Sequence, residues 1–216
     1  DKLADESTVF NFAYTQMAIC SASRNSFLSG RRPDRTRVWN FIDDFREGPG
    51  KKWQSLPQYF KVGAPLLVLY VSRVNKYFKD NQYTTLGSGK VYHGGKPANN
   101  DEPLSWSADK PYVKPSFDKC SPWSFFCPYS AADIAKAKSD DTKMAAAAIA
   151  HMQYAHSKNR PWFVAVGFHY PHQPWHVPSF AVDPYRNRTA SQLPLAAHPF
   201  SPVGVPDAAF TTTMHG

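Results

Sequence analysis

The sequence lacks an apolar run that could cross a membrane. Its longest apolar run, Ala64–Val71, is far shorter than the roughly 20 residues that a spanning helix requires. We therefore expect no transmembrane segment. A signal peptide is also absent, and because the chain starts at Asp1 instead of a methionine, we interpret it as a processed or partial product.

Long blocks of one charge are missing as well, although the net charge is +8. The densest basic group, Ser29–Thr36, is interrupted by Asp34. Such a surplus favours an anionic partner: nucleic acid, an anionic polysaccharide or a membrane surface. The lack of long basic blocks disfavours specific nucleic-acid binding. The hydrophobic content of 42% is too high for a disordered chain, so we expect a folded core.

Cysteine is scarce, with three residues in the chain. Cys120 and Cys127 lie close together in a loop rich in proline and aromatic residues, where a local disulfide would leave Cys20 unpaired. A zinc site is the weaker interpretation, because no second pair of thiols follows at the spacing of a zinc finger.

The pattern of apolar residues favours the α/β class. Residues 139–156 predict a helix, capped by Ser139 or Asp140, whose face carries five apolar side chains at helical spacing. These are Met144, Ala148, Ile149, Met152 and Ala155. The apolar run Trp162–Phe168 follows and predicts a strand buried on both faces, which gives the helix–strand alternation of an α/β domain.

The remaining segments give weaker signals. Residues 1–19 predict a helix and then an apolar segment that ends at Cys20. A second helix is predicted over residues 21–28, with serines as caps and Gly30 as its stop, and a third over residues 55–61 with Ser55 as its cap.

Further along, residues 83–86 predict a strand that runs into a turn at residues 87–89. Residues 94–131 predict a surface excursion pinned by the cysteine pair, and from Pro171 onward we expect mostly loop.

Cys20 and Arg24 form the first chemical motif. A cysteine at a helix N-terminus faces unsatisfied N–H groups that lower a thiol's pKa and bind tetrahedral anions. Arg24, one turn later, can reach the same anion. A buried cysteine beside a surface arginine would show the same spacing, so the pattern alone leaves both interpretations open.

Two more motifs combine basic side chains. Lys90 and His93 follow the predicted strand and could direct two cations at one anion, although a solvated turn fits the same letters. His169, His172 and His176 follow the apolar run, at the strand end where open α/β sheets bind ligands. A zinc site there is disfavoured because no carboxylate or thiol lies nearby in sequence.

Together these motifs resemble the sulfatase family. Residues 20–24 (CSASR) with Ser29-Gly30 resemble the signature C-x-P-S-R followed by Thr-Gly, with Ala22 in place of proline. Residues 89–93 (GKVYH) and 167–174 (GFHYPHQP) resemble two further segments of the family, with Tyr170 in place of a lysine. The resemblance covers roughly residues 10–185 and appears in the family's order.

The resemblance implies a site and a fold. It implies that Cys20 is oxidised to formylglycine, which Arg24 and the metal stabilise. It also implies that Lys90, His93 and His172 neutralise the sulfate charge and assist the leaving oxygen, while His169 supports the loop. It implies an α/β fold like that of alkaline phosphatase, with a mixed sheet flanked by helices and long Pro-rich loops. It also implies a calcium ion, for which formylglycine at Cys20 would be one ligand.

The resemblance also sets the organisation of the chain. Neither the early Asp pair nor the later Asp-His or Asp-Asn pair that holds the calcium occurs here, so we expect the other ligands, the first strand and the C-terminal part to be absent from residues 1–216. Residues 62–79 interrupt the family pattern, and we interpret them as an insertion or as the product of an unspliced gene model.

Two functions remain in view. The first is hydrolysis of a sulfate ester on an anionic sugar or glycosaminoglycan, after maturation by a formylglycine-generating enzyme in the secretory pathway, with a lysosomal or extracellular destination. The second, motivated by Ala22 and the missing metal ligands, is a non-catalytic glycan-binding or structural subunit. The family also implies that Cys120 pairs with Cys127.

Asn187-Arg188-Thr189 matches the acceptor sequence for N-glycosylation, in a polar segment that should be exposed. In protein from a secretory host, we expect a glycan on Asn187, detected by mass spectrometry after glycosidase treatment. Thr189→Ala should abolish it. An unmodified Asn187 in such material would contradict the prediction.

Overall fold

The computed structural model describes residues 2–62, 83–114, 124–136, 140–194 and 203–204. Most of the segment interpreted as an insertion, residues 63–79, lies outside these ranges, and so do Cys120 and Ser139. Cys20 is a free thiol, whereas Cys127 is in a disulfide. Because Cys120 is not described, its pairing with Cys127 stays a prediction.

The described helices are α1 (Lys2–Asp5), α2 (Cys20–Ser29), α3 (Pro33–Thr36), α4 (Leu56–Val62), α5 (Glu102–Ser105), α6 (Ala131–Lys136), α7 (Asp140–Ser157) and α8 (Ser179–Val182). The strands are β1 (Thr84–Gly89), β2 (Phe126–Tyr129), β3 (Trp162–Gly167) and β4 (Trp175–Pro178). Short 3₁₀ turns cover Ala98–Asp101, Asp183–Tyr185 and Ala190–Gln192. In the part of the chain that the structure describes, we find no helix with the length and hydropathy of a membrane span.

Two parallel strand pairs form the sheet structure of the described residues. β1 pairs with β3 in a register from Thr84–Trp162 to Gly89–Gly167, and β2 pairs with β4 from Phe126–Trp175 to Tyr129–Pro178. Helix α7 leads into β3 and packs on both β1 and β3. A parallel pair covered by the preceding helix is α/β architecture, so the predicted fold class is confirmed.

Strand β1, instead of β3, is the buried strand. All six residues of β1 are buried, and its glycines, predicted as a turn, extend the strand. A Cβ on Gly87 would lie 2.6 Å from the Tyr112 ring and 2.9 Å from the Trp106 ring, so glycine is what lets these aromatic side chains cover the strand. In β3, by contrast, Trp162 and Val166 are 41% and 39% exposed, because only the alternate residues of the strand face the core.

The segment predicted as a surface excursion supplies part of the core. Trp106 is 1% exposed and packs with Tyr112, Tyr92 and Phe45 in one cluster. The Trp106 indole N–H donates to the carbonyl of Asn100 at 2.8 Å. The prediction of a surface excursion was wrong here, because many polar residues surround Trp106 and Tyr112 in the sequence and hid their role in the core.

Two helix predictions differ from the structure in extent or in the face that is buried. Residues 6–19 contain no regular element, so the helix predicted near the N-terminus is limited to α1. The buried face of α7 comprises Met144, Ala148, His151 and Ala155, while Ile149 and Met152, predicted on that face, are 52% and 38% exposed.

The segment after Pro171, predicted as loop, contains β4 and α8. Prolines at the end of β4 and within its partner β2 obscured the pair, although a strand at a sheet edge tolerates them. Asn187 is exposed, as its predicted modification requires.

A buried ion pair joins three segments of the chain. The Arg46 guanidinium donates to both Asp101 oxygens, at 2.9 and 2.8 Å, and also to Gln58 at the start of α4. Ser105 donates to the same carboxylate at 2.5 Å. The predicted cap of α4 is present too, because the Gln58 N–H donates to the Ser55 hydroxyl at 3.2 Å.

Removal of Arg46 should leave the buried Asp101 carboxylate without its cationic partner. The Arg46 and Asp101 side chains are only 11% and 4% exposed, so we expect Arg46→Ala to lower the free energy of unfolding by about 3–5 kcal/mol. Arg186→Ala is the matched control, since it breaks an exposed pair with Asp183 and should cost below about 1 kcal/mol. Urea denaturation measures both, and equal effects would contradict the assignment.

Candidate active site

Three chain segments meet at the carboxyl ends of β1 and β3. Because the strands are parallel and in register, the residues that follow them, Lys90 and Phe168, leave the sheet at the same edge. The backbone N–H of Lys90 donates to the carbonyl of Gly167 at 2.7 Å. A Cβ on Gly167 would lie 2.1 Å from the Lys90 carbonyl, so the close contact between the two loops requires glycine.

Helix α2 places Cys20 at its first position. The residue before it, Ile19, has extended backbone angles and no side-chain cap, so the predicted capping by serines was wrong. The Ser23 hydroxyl is instead within hydrogen-bond distance of Thr15, at 2.7 Å. Gly30 ends the helix in the left-handed conformation, with φ 65°, as predicted. Cys20 therefore stands at an N-terminus whose dipole favours negative charge.

His172 and Lys90 flank the Cys20 sulfur. The His172 Nε2 lies 3.4 Å from Sγ, and the Lys90 Nζ lies 3.9 Å from it. The other ring nitrogen of His172, Nδ1, is hydrogen-bonded to the carbonyl of Gln173. A carbonyl only accepts, so Nδ1 is the donor in this hydrogen bond, and Nε2 is the ring nitrogen that lies against Cys20.

Arg24 holds the turn that carries Lys90. Its Nη1 donates to the carbonyl of Val91 at 2.9 Å and also to that of Lys90. Burial lowers the pKa of Arg24, and the neighbouring Cys20 and Tyr112 raise it. Arg24 thus lies beside Cys20, as the spacing suggested, but its described contacts are to the backbone of the next loop.

The cations in this site perturb one another. Burial lowers the pKa of Lys90, Cys20 raises it and Arg24 lowers it further. The pKa of His93 is lowered first by burial and then by Lys90, Arg24 and His172. The His93 ring packs against Phe41, with centroids 5.1 Å apart. Partly buried positive groups that lower each other's pKa would gain from a bound anion.

His169 lies next to His172. The backbone of His169 is held by an acidic side chain that the sequence did not single out. The ring centroids of His169 and His172 are 5.3 Å apart. Asp141, in the first turn of α7, accepts the backbone N–H of His169 at 2.7 Å and that of Tyr170 at 3.0 Å. Its place in an acidic first turn was visible in the sequence, but its contact with the distant loop was not.

The other residues of this loop face β4. The Tyr170 hydroxyl donates to the carbonyl of His176, and the His176 Nε2 lies 3.2 Å from the carbonyl of Ser124. His176 is therefore in contact with Ser124 through its ring and with Tyr170 through its carbonyl. Within the described ranges, no group of three or more His, Cys, Asp or Glu side chains is arranged to hold a metal ion.

The chain is similar in sequence to known proteins. A family model described as Sulfatase matches residues 1–193. The iduronate 2-sulfatases of Homo sapiens and Mus musculus are each 32% identical to the chain over 228 aligned positions, which cover 99% of the chain. The chain spans 37% of the length of these relatives.

The mutual effect of the cations can be measured directly. Because the charge of Lys90 lowers the pKa of His93, Lys90→Met should raise that pKa toward the ordinary value near 6.5, as followed by NMR titration of the imidazole carbons. The control is Lys110→Met. Lys110 lowers the pKa of the distant His151, so this variant should raise the pKa of His151 and leave His93 unchanged. An unmoved His93 in Lys90→Met would contradict the described cluster.

Proposed function

The chain belongs to the sulfatase family, and from this we propose that it hydrolyses a sulfate ester on an anionic sugar. The observation that carries the proposal is the placement of His172 and Lys90 at 3.4 and 3.9 Å from the Cys20 sulfur. A cysteine between a proton donor and a fixed cation, at the N-terminus of a helix, suits chemistry on a tetrahedral anion.

Cys20 provides the nucleophile after maturation. A formylglycine-generating enzyme is the partner that this step requires, and the hydrated aldehyde of formylglycine supplies a hydroxyl oxygen for attack on sulfur. Cys20 is half-buried and is the first residue of α2, so that oxygen would stand where the thiol now stands. The adjacent N–H groups then orient the sulfate group against it.

Lys90, His93 and Arg24 stabilise the negative charge of the sulfate group. Lys90 is the closest of them to the nucleophile and donates to the non-bridging oxygens. Arg24 keeps the Lys90 turn in place through the carbonyls of Lys90 and Val91 and adds its own charge. His93 extends the positive surface on the Phe41 side. Such preorganised charges act more strongly here than in water, because the site is partly buried.

His172 moves the proton. Since Nδ1 is held by the Gln173 carbonyl, Nε2 is the single ring position that can exchange a proton with the reacting group. In its charged form, His172 donates to the oxygen of the departing alcohol as the S–O bond breaks. The attacking hydroxyl loses its own proton to solvent, and position 20 then carries the sulfate ester of the hydrate. Neutral His172 takes the proton of the remaining hydroxyl, the C–O bond to sulfate breaks, sulfate leaves as the aldehyde forms again, and addition of water restores the hydrate.

Calcium is the metal implied by the family. A calcium site requires about six or more oxygen ligands, and the described residues offer no cluster of that kind. Formylglycine at position 20 would be one ligand. We assign no step to the metal on the basis of these residues.

The substrate class follows from charge and from the relatives. The net charge of +8 and the clustered cations suit a sulfated sugar or a glycosaminoglycan, and the two relatives are iduronate 2-sulfatases. We therefore propose an iduronate-2-sulfatase-like activity in the secretory pathway, with the protein lysosomal or extracellular. The replacement of a family lysine by Tyr170 removes one positive charge and should change the preference among sulfated sugars.

A binding module without catalysis is the alternative. It is favoured by Ala22, a fully buried residue in place of the signature proline, which could impair conversion of Cys20. The mass of the peptide that contains residue 20, from protein made in a secretory host, separates the two functions. Formylglycine supports the enzyme, and an unmodified thiol supports the module.

Two substitutions test the catalytic roles. In the full-length enzyme expressed with the formylglycine-generating enzyme, Lys90→Ala and His172→Ala should each lower sulfate release by on the order of 10²-fold or more, the loss seen for a single oxyanion donor. His169→Ala should have a smaller effect, because the nitrogen 3.4 Å from the Cys20 sulfur belongs to His172, and the His169 ring packs against the His172 ring. Release of sulfate from a sulfated uronate disaccharide gives the rates. A wild-type rate in His172→Ala would reject its assignment.

A further inference from the structure

Asp141 connects helix α7 to the loop that carries His172. Its two carboxylate oxygens each accept one backbone N–H, from His169 at 2.7 Å and from Tyr170 at 3.0 Å. These residues come directly after the end of β3, where the ladder to β1 stops at Gly167. Hydrogen bonds to a charged acceptor are roughly twice as strong as neutral ones, so this contact is a firm anchor for the loop.

The anchored residues and His172 belong to the same turn. The backbone N–H of His172 donates to the carbonyl of His169 at 2.9 Å, so the turn begins at the residue that Asp141 holds and ends at His172. A shift of the first residue therefore moves the last. The Nε2 of His172 lies 3.4 Å from Cys20 Sγ, a separation that a shift of 1 Å would disrupt.

The support behind Asp141 is rigid. Helix α7 packs on β1 and β3 through the buried Met144 and Ala148, which are 2% and 5% exposed. The Ser88 hydroxyl of β1 also donates to the Met144 carbonyl, at 3.5 Å. Through helix α7, Asp141 thus connects the His172 turn to β1 and β3, the same two strands that set the position of Lys90.

We propose that Asp141 is a positioning residue of the site: its carboxylate holds the turn of residues 169–172 so that the His172 Nε2 faces the reacting group at position 20. The catalytic part of this inference rests on the proposed function. Its structural part concerns only Asp141, the two amides and His172, and it can be tested without a substrate.

The charge of Asp141 has a second effect in the same place. The groups that interact with His172 are Cys20, His169 and His93, and Lys90 lies 3.9 Å from the same sulfur. Three of these four can carry positive charge. Burial, Lys90 and His172 lower the pKa of His169, whereas Asp141 raises it. Asp141 therefore offsets part of the repulsion among the cations.

The first test uses the chain as it is, with its Cys20 thiol, and reads out structure by NMR. In the wild type, the amides of His169 and Tyr170 should exchange slowly with solvent, and His172 should show a nuclear Overhauser contact to Cys20. Asp141→Asn keeps the shape of the side chain but replaces one carboxylate oxygen, which accepts, by an NH₂ group, which donates. It should accelerate exchange at these amides and weaken the contact. Rapid exchange of both amides in the wild type would overturn the proposal, whether or not any variant folds.

The matched control is Asp133→Asn in the first turn of α6, which removes a carboxylate that likewise accepts a backbone N–H, from Ser130 at 3.2 Å. It should leave the His169 and Tyr170 amides and the His172 contact unchanged. Faster amide exchange in Asp141→Asn with an intact His172 contact would reject the positioning role, since Asp141 would then only satisfy two N–H groups.

The second test measures sulfate release by the formylglycine form. Asp141→Asn should lower kcat by on the order of 10²-fold, the effect of a displacement of about 1 Å, with KM within about twofold. Asp141→Glu, which restores the charge, should recover part of kcat. An unchanged kcat would overturn the catalytic part. If the wild type releases no sulfate while the NMR changes occur, the proposed function fails and the positioning of His172 by Asp141 stands.

Discussion

The contact between two glycines at the ends of parallel strands determines the geometry of the site. Gly89 and Gly167 close the register between β1 and β3, and a Cβ on Gly89 would lie 2.0 Å from the Gly167 carbonyl. Only at this distance can the Lys90 amide bond to Gly167 and continue the ladder into the loops. Lys90 and His172 face one sulfur because the strands before them end together.

Electrostatics add a second constraint on the same region. Several cationic side chains lie within reach of one another in a partly buried site, where their mutual repulsion is poorly screened. Backbone carbonyls offset part of this repulsion, since Arg24 donates to two of them and His172 to a third. These contacts keep Arg24 and His172 in place before an anion arrives, which reduces the reorganisation needed on binding.

The sequence predicted the members of the site better than their connections. Cys20, Lys90, His93 and His172 stand in short motifs whose letters carry the chemistry, and the α/β class follows from the helix and strand before His169. The contacts of Asp141 with residue 169 and of Arg46 with Asp101 join positions 28 and 55 residues apart. No periodicity marks such pairs, because a carboxylate that accepts a distant N–H looks in sequence like any acidic residue on a surface.

The separation between Cys20 and His172 has a consequence for synthesis of the protein. The two residues are 152 positions apart, so the ribosome needs about 8–30 s to add His172 after Cys20, at roughly 5–20 residues per second. During that interval the sulfur has neither the imidazole beside it nor strand β3 behind it. An enzyme that modifies Cys20 meets an open peptide then, whereas in the folded chain it meets a half-buried one. Slow synthesis between these two positions would lengthen the time available for modification without altering the finished structure.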